Sequence, residues 1–170
     1  MTILTTARLT LRPRVPDDAE PLFATMADAD VMRWWSRPPV TSVAELRDYF
    51  TDSPATRQSW AVAHGDRVIG FVTAAEKRVG VTEIGYLFAS DVWGSGLARE
   101  AAAAVIAHLF AAGQRRIFAD TDPDNAGSIR LLERLGFKLE GRLRAEWHTH
   151  IGVRDTLLYG LLKDEWRAPG

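Results

Sequence analysis

Residues Asp91 to Glu100 read Asp-Val-Trp-Gly-Ser-Gly-Leu-Ala-Arg-Glu, and their backbone could bind an anion. An apolar run at 83–88 precedes them and an alanine-rich helical pattern follows, which places Gly94 and Gly96 at a strand-to-helix junction. Glycine lets the backbone turn sharply and approach a ligand closely. The first N–H groups of a helix have no partner within it, and the helix dipole is positive there. The sequence therefore predicts a pyrophosphate site, although a Gly-x-Gly turn alone is a common structural feature.

A second polar motif opens the next predicted helix. Asn125 precedes a helical pattern that runs from 125 to 135, and its side chain is suited to cap the first turn. Ser128 follows one turn later and so lies on the same helix face as Asn125. The strand before this helix, 116–120, is joined to strand 81–88 through a helix and should run parallel to it. The two motifs thus follow two successive strands.

The elements that position these motifs form a mixed α/β sheet. Gly65-Asp66, between two apolar runs, is typical of a hairpin turn. We predict about seven strands, at 8–12, 60–62, 68–72, 81–88, 116–120, 137–148 and 156–162. We predict about four helices, two beginning near Asp17 and Ser42 and two spanning 97–112 and 125–135. The strands should be antiparallel except for one central parallel pair, and residues 1–170 should form a single domain.

The composition excludes several classes of function. A formal net charge of −1 argues against a nucleic-acid partner, which would need a basic surface. The absence of cysteine excludes disulfides, zinc thiolates and a cysteine acyl-enzyme. The most apolar run, 101–112, is too short to span a bilayer, so we expect no membrane partner. The first residues do not form a signal-peptide pattern, and we expect a cytoplasmic protein.

The two motifs together resemble the GNAT superfamily of acetyl-CoA-dependent N-acetyltransferases. The resemblance is carried by Trp93-Gly94-Ser95-Gly96-Leu97-Ala98, by 125–128, and by Leu-Leu-Glu-Arg-Leu-Gly-Phe at 131–137. The stretches 8–12 and 140–141 are similar to the RimJ/RimL-like branch, which acetylates N-terminal amines of ribosomal proteins among other substrates. The resemblance implies a GNAT fold and direct acetyl transfer from acetyl-CoA to a primary amine in a ternary complex. It implies no metal, and homodimers are common in the branch.

The resemblance also implies which residues bind acetyl-CoA. The pyrophosphate would lie on the glycine turn, and the pantetheine arm would pair with the end of the preceding strand as an added strand does. The residues implied are Leu87, Phe88, Trp93, Gly94, Ser95, Gly96, Leu97, Ala98, Arg99 and Asn125.

Two positions depart from the superfamily pattern. Trp93 stands where Gln or Arg is common, and the RimJ/RimL-like branch has a tryptophan there as well. Leu132 stands where many relatives carry a tyrosine that protonates the leaving thiolate. Ser128 could donate that proton instead.

The reaction also needs a base and an acceptor pocket. The nucleophile must be a neutral amine, and at pH 7 deprotonating an α-amine costs about 1 kcal/mol. Two carboxylates are candidates: Glu83, on the strand face opposite Ile84, and Glu146, after the 141–144 stretch. Trp34 and Trp35 are candidate walls of the acceptor pocket, since the region between the first two strands forms it in relatives.

Other interpretations are weaker. Gly94-x-Gly96 also begins a dinucleotide-binding motif, but Arg99 occupies the place of its third glycine. Glu146, His148 and His150 alternate like metal ligands, but along a strand the outer two are about 13 Å apart. A catalytically idle module that binds or senses CoA on the same fold is the second functional hypothesis.

Overall fold

The computed structural model describes residues 1–54 and 56–169. In this part of the chain an eight-stranded sheet has the spatial order β1-β2-β3-β4-β5-β6-β8-β7. The strands are β1 (Leu4–Thr5), β2 (Thr10–Pro13), β3 (Arg57–His64), β4 (Arg67–Arg78), β5 (Val81–Phe88), β6 (Arg116–Thr121), β7 (Lys138–Thr149) and β8 (Gly152–Leu162). The α-helices are α1 (Ala19–Ala27), α2 (Ala29–Met32), α3 (Val43–Thr51), α4 (Leu97–Ala111) and α5 (Ala126–Arg134).

The predicted mixed sheet with one parallel pair is confirmed. β5 and β6 are parallel, and every other strand pair is antiparallel. The described chain has one more strand and one more α-helix than we predicted. The additional elements, β1 and α2, have only two and four residues, so neither gives a periodic signal.

β5 and β6 separate soon after they begin. Only Val81–Glu83 pair with Arg116–Phe118. Beyond those pairs β5 remains bonded to β4, while β6 remains bonded to β8. The backbone of β5 from Ile84 to Phe88 therefore faces a gap in the sheet on the side of β6.

Two apolar clusters cover the two faces of the sheet. One lies under α4 and α5 and includes Trp60, Ile84 and Ile106. The other lies under α1, α2 and α3 and includes Phe71 and Leu87. Successive residues of β5 thus point to opposite clusters, as the alternation of a strand requires.

The helix predicted to begin near Asp17 opens with a 3₁₀ turn. Residues Pro16–Asp18 form a single 3₁₀ turn, and α1 follows it. Asp18 is buried, and its carboxylate accepts hydrogen bonds from the Arg12 guanidinium and from the Val15 amide at 2.8 Å. These bonds fix the end of β2 against the first helix. No helix of the described residues is long and apolar enough to cross a membrane.

Gly70 should be essential for the packing of β4 against β5. A Cβ at Gly70 would lie 2.3 Å from the Leu87 carbonyl oxygen, whereas a Cβ at Gly141 would meet nothing within 4 Å. We expect Gly70→Ala to lower the free energy of unfolding by about 1–3 kcal/mol, since overpacking forces backbone shifts. Gly141→Ala is the matched control and should stay near the wild type. Urea denaturation measures both, and an equal effect of the two changes would contradict this packing account.

Candidate active site

Two cavities occupy the gap between β5 and β6 and its surroundings. The larger cavity has a volume of about 690 Å³ and lies toward α4 and α5. The smaller cavity has a volume of about 330 Å³ and lies toward β7 and β8. The side chains common to both are Trp34, Trp35, Tyr86, Asn125 and Ser128. The two cavities therefore meet at the side chains of β5 and α5 that face each other across the gap.

The larger cavity brings together nine of the ten residues predicted to bind acetyl-CoA. They are Leu87, Phe88, Trp93, Gly94, Ser95, Gly96, Ala98, Arg99 and Asn125. The tenth, Leu97, is 4% exposed and packs into the core beneath the turn. Its side chain anchors the start of α4 and does not line the cavity.

The glycine turn has the backbone conformation expected of a close-approach site. Gly94 and Gly96 have φ of 75° and 81°, values that L side chains rarely adopt. A Cβ at Gly94 would meet nothing within 4 Å, so the space beside this residue is open. The N-cap of α4 is Gly96, which has no side chain to cap the helix. Ser95 Oγ accepts from the Leu97 amide at 3.3 Å, and no other side chain of the described residues accepts from the first turn of α4. The turn thus presents N–H groups to an open cavity, as an anion site requires.

Arg8 holds this turn from outside the cavity. Its guanidinium donates to the Ser95 carbonyl at 3.2 Å and pairs with Glu100 at 2.6 Å. Thr6 donates to the same Glu100 carboxylate at 2.6 Å. Burial raises the pKa of Glu100, but the hydrogen bonds from Thr6 and Arg8 outweigh burial and leave it below its ordinary value. The first strands of the chain are thereby tied to the start of α4.

Trp93 has a structural role at the end of β5. Its indole Nε1 donates to the Phe88 carbonyl at 3.1 Å, and the residue is 54% exposed at the cavity wall. The indole therefore satisfies the last carbonyl of the strand.

Three guanidinium groups give the larger cavity a cationic wall. Arg99 belongs to the turn, and its Nε is buried with no hydrogen-bond partner in the described chain. Arg130 and Arg134 lie one turn apart on α5 and line the same cavity, while Asp30 is its one acidic lining residue among those described. Arg130 and Arg134 were not predicted as cavity residues, although their i, i+4 spacing places them on one helix face.

Tyr86 is a third lining residue that was not predicted from the sequence. Its phenol oxygen lies 2.7 Å from Ser128 Oγ, where the two cavities meet. Burial raises the pKa of Tyr86 far above its ordinary value, and the Ser128 hydrogen bond offsets only part of that effect. Leu132, in contrast, is fully buried in the core. The phenol near Ser128 thus comes from the sheet and not from α5.

Glu83 lies in the smaller cavity beside a cation. Its carboxylate is 2.7 Å from Lys77 Nζ, and its side chain is 27% exposed. The indole of Trp35 packs near Gly85, where a Cβ would be 3.8 Å from the ring. Trp34 and Trp35, the predicted walls of an acceptor pocket, line this cavity and the larger one.

Glu146 is exposed and lines neither cavity. The pairing of β7 with β8 shifts between Leu143 and Trp147, and Ala145 within that bulge has φ of 51°. The Trp147 side chain lines the smaller cavity instead, and its Nε1 donates to Asp120 at 2.7 Å. The bulge changes the alternation of the strand, which is why the position of Glu146 could not be read from spacing.

Three further carboxylates line the smaller cavity, and each has a partner. Asp120 accepts from Trp147 and Thr156, Asp122 from Arg154, and Asp155 from Arg142 and an amide of the β7 bulge. Burial raises the pKa of Asp122, but the Arg154 hydrogen bonds outweigh burial and leave it below its ordinary value.

No group of three or more His, Asp and Glu side chains among the described residues is arranged to hold a metal ion.

Comparison with known proteins gives a consistent result. Residues 8–138 match the acetyltransferase (GNAT) domain family. The uncharacterized N-acetyltransferase p20 of Bacillus licheniformis is 34% identical over 176 residues, covering 98% of this chain and 99% of that protein. Two solved structures share the fold. RimL, a ribosomal L7/L12 alpha-N-protein acetyltransferase in complex with coenzyme A, has a TM-score of 0.87 at 20% identity, covering 95% of this chain and 98% of that one. Spermidine N-acetyltransferase from Vibrio cholerae, in complex with CoA and spermine, has a TM-score of 0.82 at 21% identity, covering 94% and 98%.

Loss of the Arg8 clamp should weaken binding of coenzyme A. We expect Arg8→Met to raise the Kd roughly tenfold, because the turn loses the bond to Ser95 and a charge-assisted pair worth about 1.5–3 kcal/mol in favourable cases. Lys138→Met is the control, since Lys138 forms an exposed ion pair with Glu165 away from both cavities. Isothermal titration with CoA measures the effect. An unchanged Kd for Arg8→Met would show that the turn keeps its shape without the clamp.

Proposed function

Because the chain belongs to the GNAT acetyltransferases, which are acetyl-CoA-dependent acyltransferases, we propose that it acetylates a primary amine by direct transfer in a ternary complex. The observation that carries this proposal is the meeting of two cavities at one edge of β5. The larger cavity has a cationic wall, which a long phosphorylated ligand needs, and the smaller cavity has room for an acceptor. Direct transfer requires both ligands to be present at once, with their reacting groups in contact.

The larger cavity suits the nucleotide end of acetyl-CoA. The amides of the turn from Gly94 to Arg99 would bind the pyrophosphate, as expected for the start of a helix. The guanidinium groups of Arg99, Arg130 and Arg134 supply positive charge to further phosphate oxygens. Phosphate groups would also neutralise three like charges that otherwise lie along one wall.

The open edge of β5 suits the pantetheine arm. Residues 84–88 have no β6 partner. Apart from the Phe88 carbonyl, which accepts from Trp93, their outward backbone groups can pair with the amides of that arm as an added strand would. Asn125 lies across the gap, and its Oδ1 is already occupied by the Ser128 amide at 3.2 Å. Its NH₂ group therefore remains as the donor to a ligand.

Ser128 is the proposed proton donor to the departing thiolate. Its hydroxyl lies where the cavities meet, at the side where a thiolate would leave toward the larger one. The adjacent Tyr86 phenol can donate a hydrogen bond to Ser128 Oγ and direct the Ser128 hydroxyl proton toward the thiolate, while Tyr86 keeps its own proton. Ser128, oriented in this way, would supply the acid that Leu132 does not and would regain its proton from water in the cavity.

Glu83 is the better placed of the two proposed bases. It lines the acceptor cavity, whereas Glu146 would have to move to reach it. An arriving ammonium group could take the place of Lys77 beside the Glu83 carboxylate. The carboxylate, directly or through water, could then accept the proton that the amine must lose before attack.

The experiment that tests the proposed function is release of free thiol from acetyl-CoA with a panel of primary amines, followed by mass spectrometry of the products. We expect amine-dependent release and an acetylated amine. A rise in melting temperature with acetyl-CoA but no release with any amine would instead identify an idle CoA-binding module.

The Tyr86–Ser128 pair should affect turnover more than binding. We expect Ser128→Ala to lower kcat by roughly 10²-fold, the lower range for general acid catalysis, and Tyr86→Phe to lower it by less. Both variants should bind CoA with nearly unchanged affinity. Tyr159→Phe is the control, because it removes a phenol that is bonded to Glu133 outside the cavities. Steady-state kinetics with one good acceptor measures these effects, and a Ser128→Ala enzyme with wild-type kcat would remove Ser128 from the mechanism.

The base can be identified from the pH dependence of the rate. Glu83→Gln should lower kcat/KM by roughly 10²-fold near pH 7. The deficit should shrink as the pH rises toward the pKa of the amine, about 8 for an α-amine, because the neutral nucleophile then forms without a base.

Two further variants complete this pH experiment. Glu76→Gln changes a carboxylate on β4 that lines neither cavity, and it should leave the profile unchanged. If Glu146→Gln shows the pH-dependent loss and Glu83→Gln does not, the base is Glu146. Flat deficits in both would contradict a carboxylate base and assign the effect to positioning of the acceptor.

A further inference from the structure

Arg14 lies in the smaller cavity as a cation with no carboxylate partner in the described chain. Its backbone amide donates to the Ser59 carbonyl, but its guanidinium forms no ion pair or hydrogen bond among the described residues. The nearest acid that influences it, Asp18, is already bonded to Arg12 and to the Val15 amide. Five N–H donors of a guanidinium thus remain available at the cavity wall.

Aromatic rings fix the position of this guanidinium. Its Cζ lies 3.9 Å from the ring centroid of Phe50 and 4.9 Å from that of Phe71. Ring faces attract a cation but do not replace the hydrogen bonds that it loses with water. Burial lowers the pKa of Arg14 to about 10, Tyr49 opposes that shift, and Arg57 adds to it. The group therefore remains charged at neutral pH although it is partly desolvated.

Arg57 adds a second cation to the same wall. It also lines the smaller cavity and has no ion-pair partner among the described residues. Two neighbouring guanidinium groups repel each other unless an anion lies between them. A carboxylate is the planar anion that a guanidinium binds with two parallel hydrogen bonds.

The sheet register relates Arg14 to β5, the strand that carries Glu83. Arg14 bonds to Ser59, which pairs with Thr73, which in turn pairs with Gly85 of β5. The guanidinium reaches over Phe71 on β4, and neighbouring strands lie about 4.8 Å apart. It is therefore close to β5, where Glu83 lines the same cavity. The smaller cavity thus has a wall of guanidinium groups without an anionic partner among the described residues. On β5 it has the Glu83 carboxylate, which an ammonium group could approach.

We propose that Arg14, assisted by Arg57, binds a carboxylate of the acceptor, so that the acceptor is an amino acid or a similarly small molecule with both an amine and an acid group. This inference rests on the proposed acetyl transfer. The volume of about 330 Å³ is at the lower end of the usual range for small-molecule sites, which favours a molecule of amino-acid size. The amine end would lie toward Glu83 and the acid end toward Arg14.

The test compares acids with their amides. Thiol release from acetyl-CoA is measured with free amino acids, with the corresponding amino-acid amides, and with a pair of dipeptide amides whose second residue is Asp or Asn. In the acid–amide pair with the highest kcat/KM, we expect the wild-type enzyme to have a higher kcat/KM for the free acid than for the amide. Arg14→Gln should reduce the ratio of kcat/KM for acid over amide by roughly 10–100-fold, the range for hydrogen bonds to charged groups. Arg14→Lys should keep part of the preference, because it retains the charge but not the two parallel bonds.

Controls separate recognition from stability. Arg78→Gln removes an exposed arginine of β4 that lines neither cavity and should leave the ratio unchanged. If Arg14→Gln does not fold, Arg57→Gln gives the second measurement, and it should lower the same ratio. A folded Arg14→Gln enzyme with the wild-type ratio, or a wild type that prefers the amide, would overturn the inference. A preference confined to the Asp dipeptide would assign the carboxylate to a peptide side chain and overturn the free amino acid.

The carboxylate site can also be tested if the proposed acetyl transfer is not observed. If no amine releases thiol, titration of the CoA-loaded protein with N-acetyl amino acids and their amides still tests the carboxylate site. Tighter binding of the acids that is lost in Arg14→Gln would support the site without catalysis. Equal binding of acids and amides would refute it.

Discussion

The separation of β5 from β6 is the constraint on which the rest of the structure depends. A parallel pair inside a sheet normally continues for the length of its strands, because each unpaired backbone group that is buried costs free energy. Here the pairing ends after Glu83 and Phe118, and β6 continues with β8 alone. The gap leaves one edge of β5 open in the middle of the sheet. That position is enclosed by helices on both faces, so a bound ligand can satisfy the edge while water is largely displaced.

The charges divide the site into two unlike halves. The larger cavity has three arginines and one acid, which suits a polyanionic ligand. The smaller cavity has four acids, each paired with a basic or indole partner. It also has Arg14, Arg33 and Arg57, which form no ion pair among the described residues, and Arg33 lies over the Trp34 ring. Paired charges hold each other in place, whereas unpaired and partly desolvated charges remain available to a ligand. The arginines of the smaller cavity that form no ion pair therefore indicate the chemistry of the acceptor better than the net charge of that cavity does.

Sequence patterns predicted the parts of this protein that depend on local physics. The glycine turn, the Asn125 cap and the parallel pair follow from backbone conformation, helix capping and connection rules, and the structure shows each of them. Tyr86 was not identified because alternation in a strand assigns a face but does not show that the sheet opens beside it. Arg14 was missed because its neighbours, Phe50 and Phe71, come from distant parts of the chain. The bulge around Ala145 likewise lies between distant partners of β8, and the sequence position of Glu146 after 141–144 did not show that its side chain would lie outside both cavities.

β5 supplies the phenol near Ser128, whereas the Leu132 side chain of α5 packs in the core. Leu132 is fully buried, so a tyrosine there would need a different arrangement of the core under α5. Tyr86 instead extends from β5 to the same region and meets Ser128 across the gap. The strand that carries Tyr86 is bonded along its other side to β4. The phenol on the strand can therefore hold the Ser128 hydroxyl in position, which is the arrangement that the proposed proton donation by Ser128 requires.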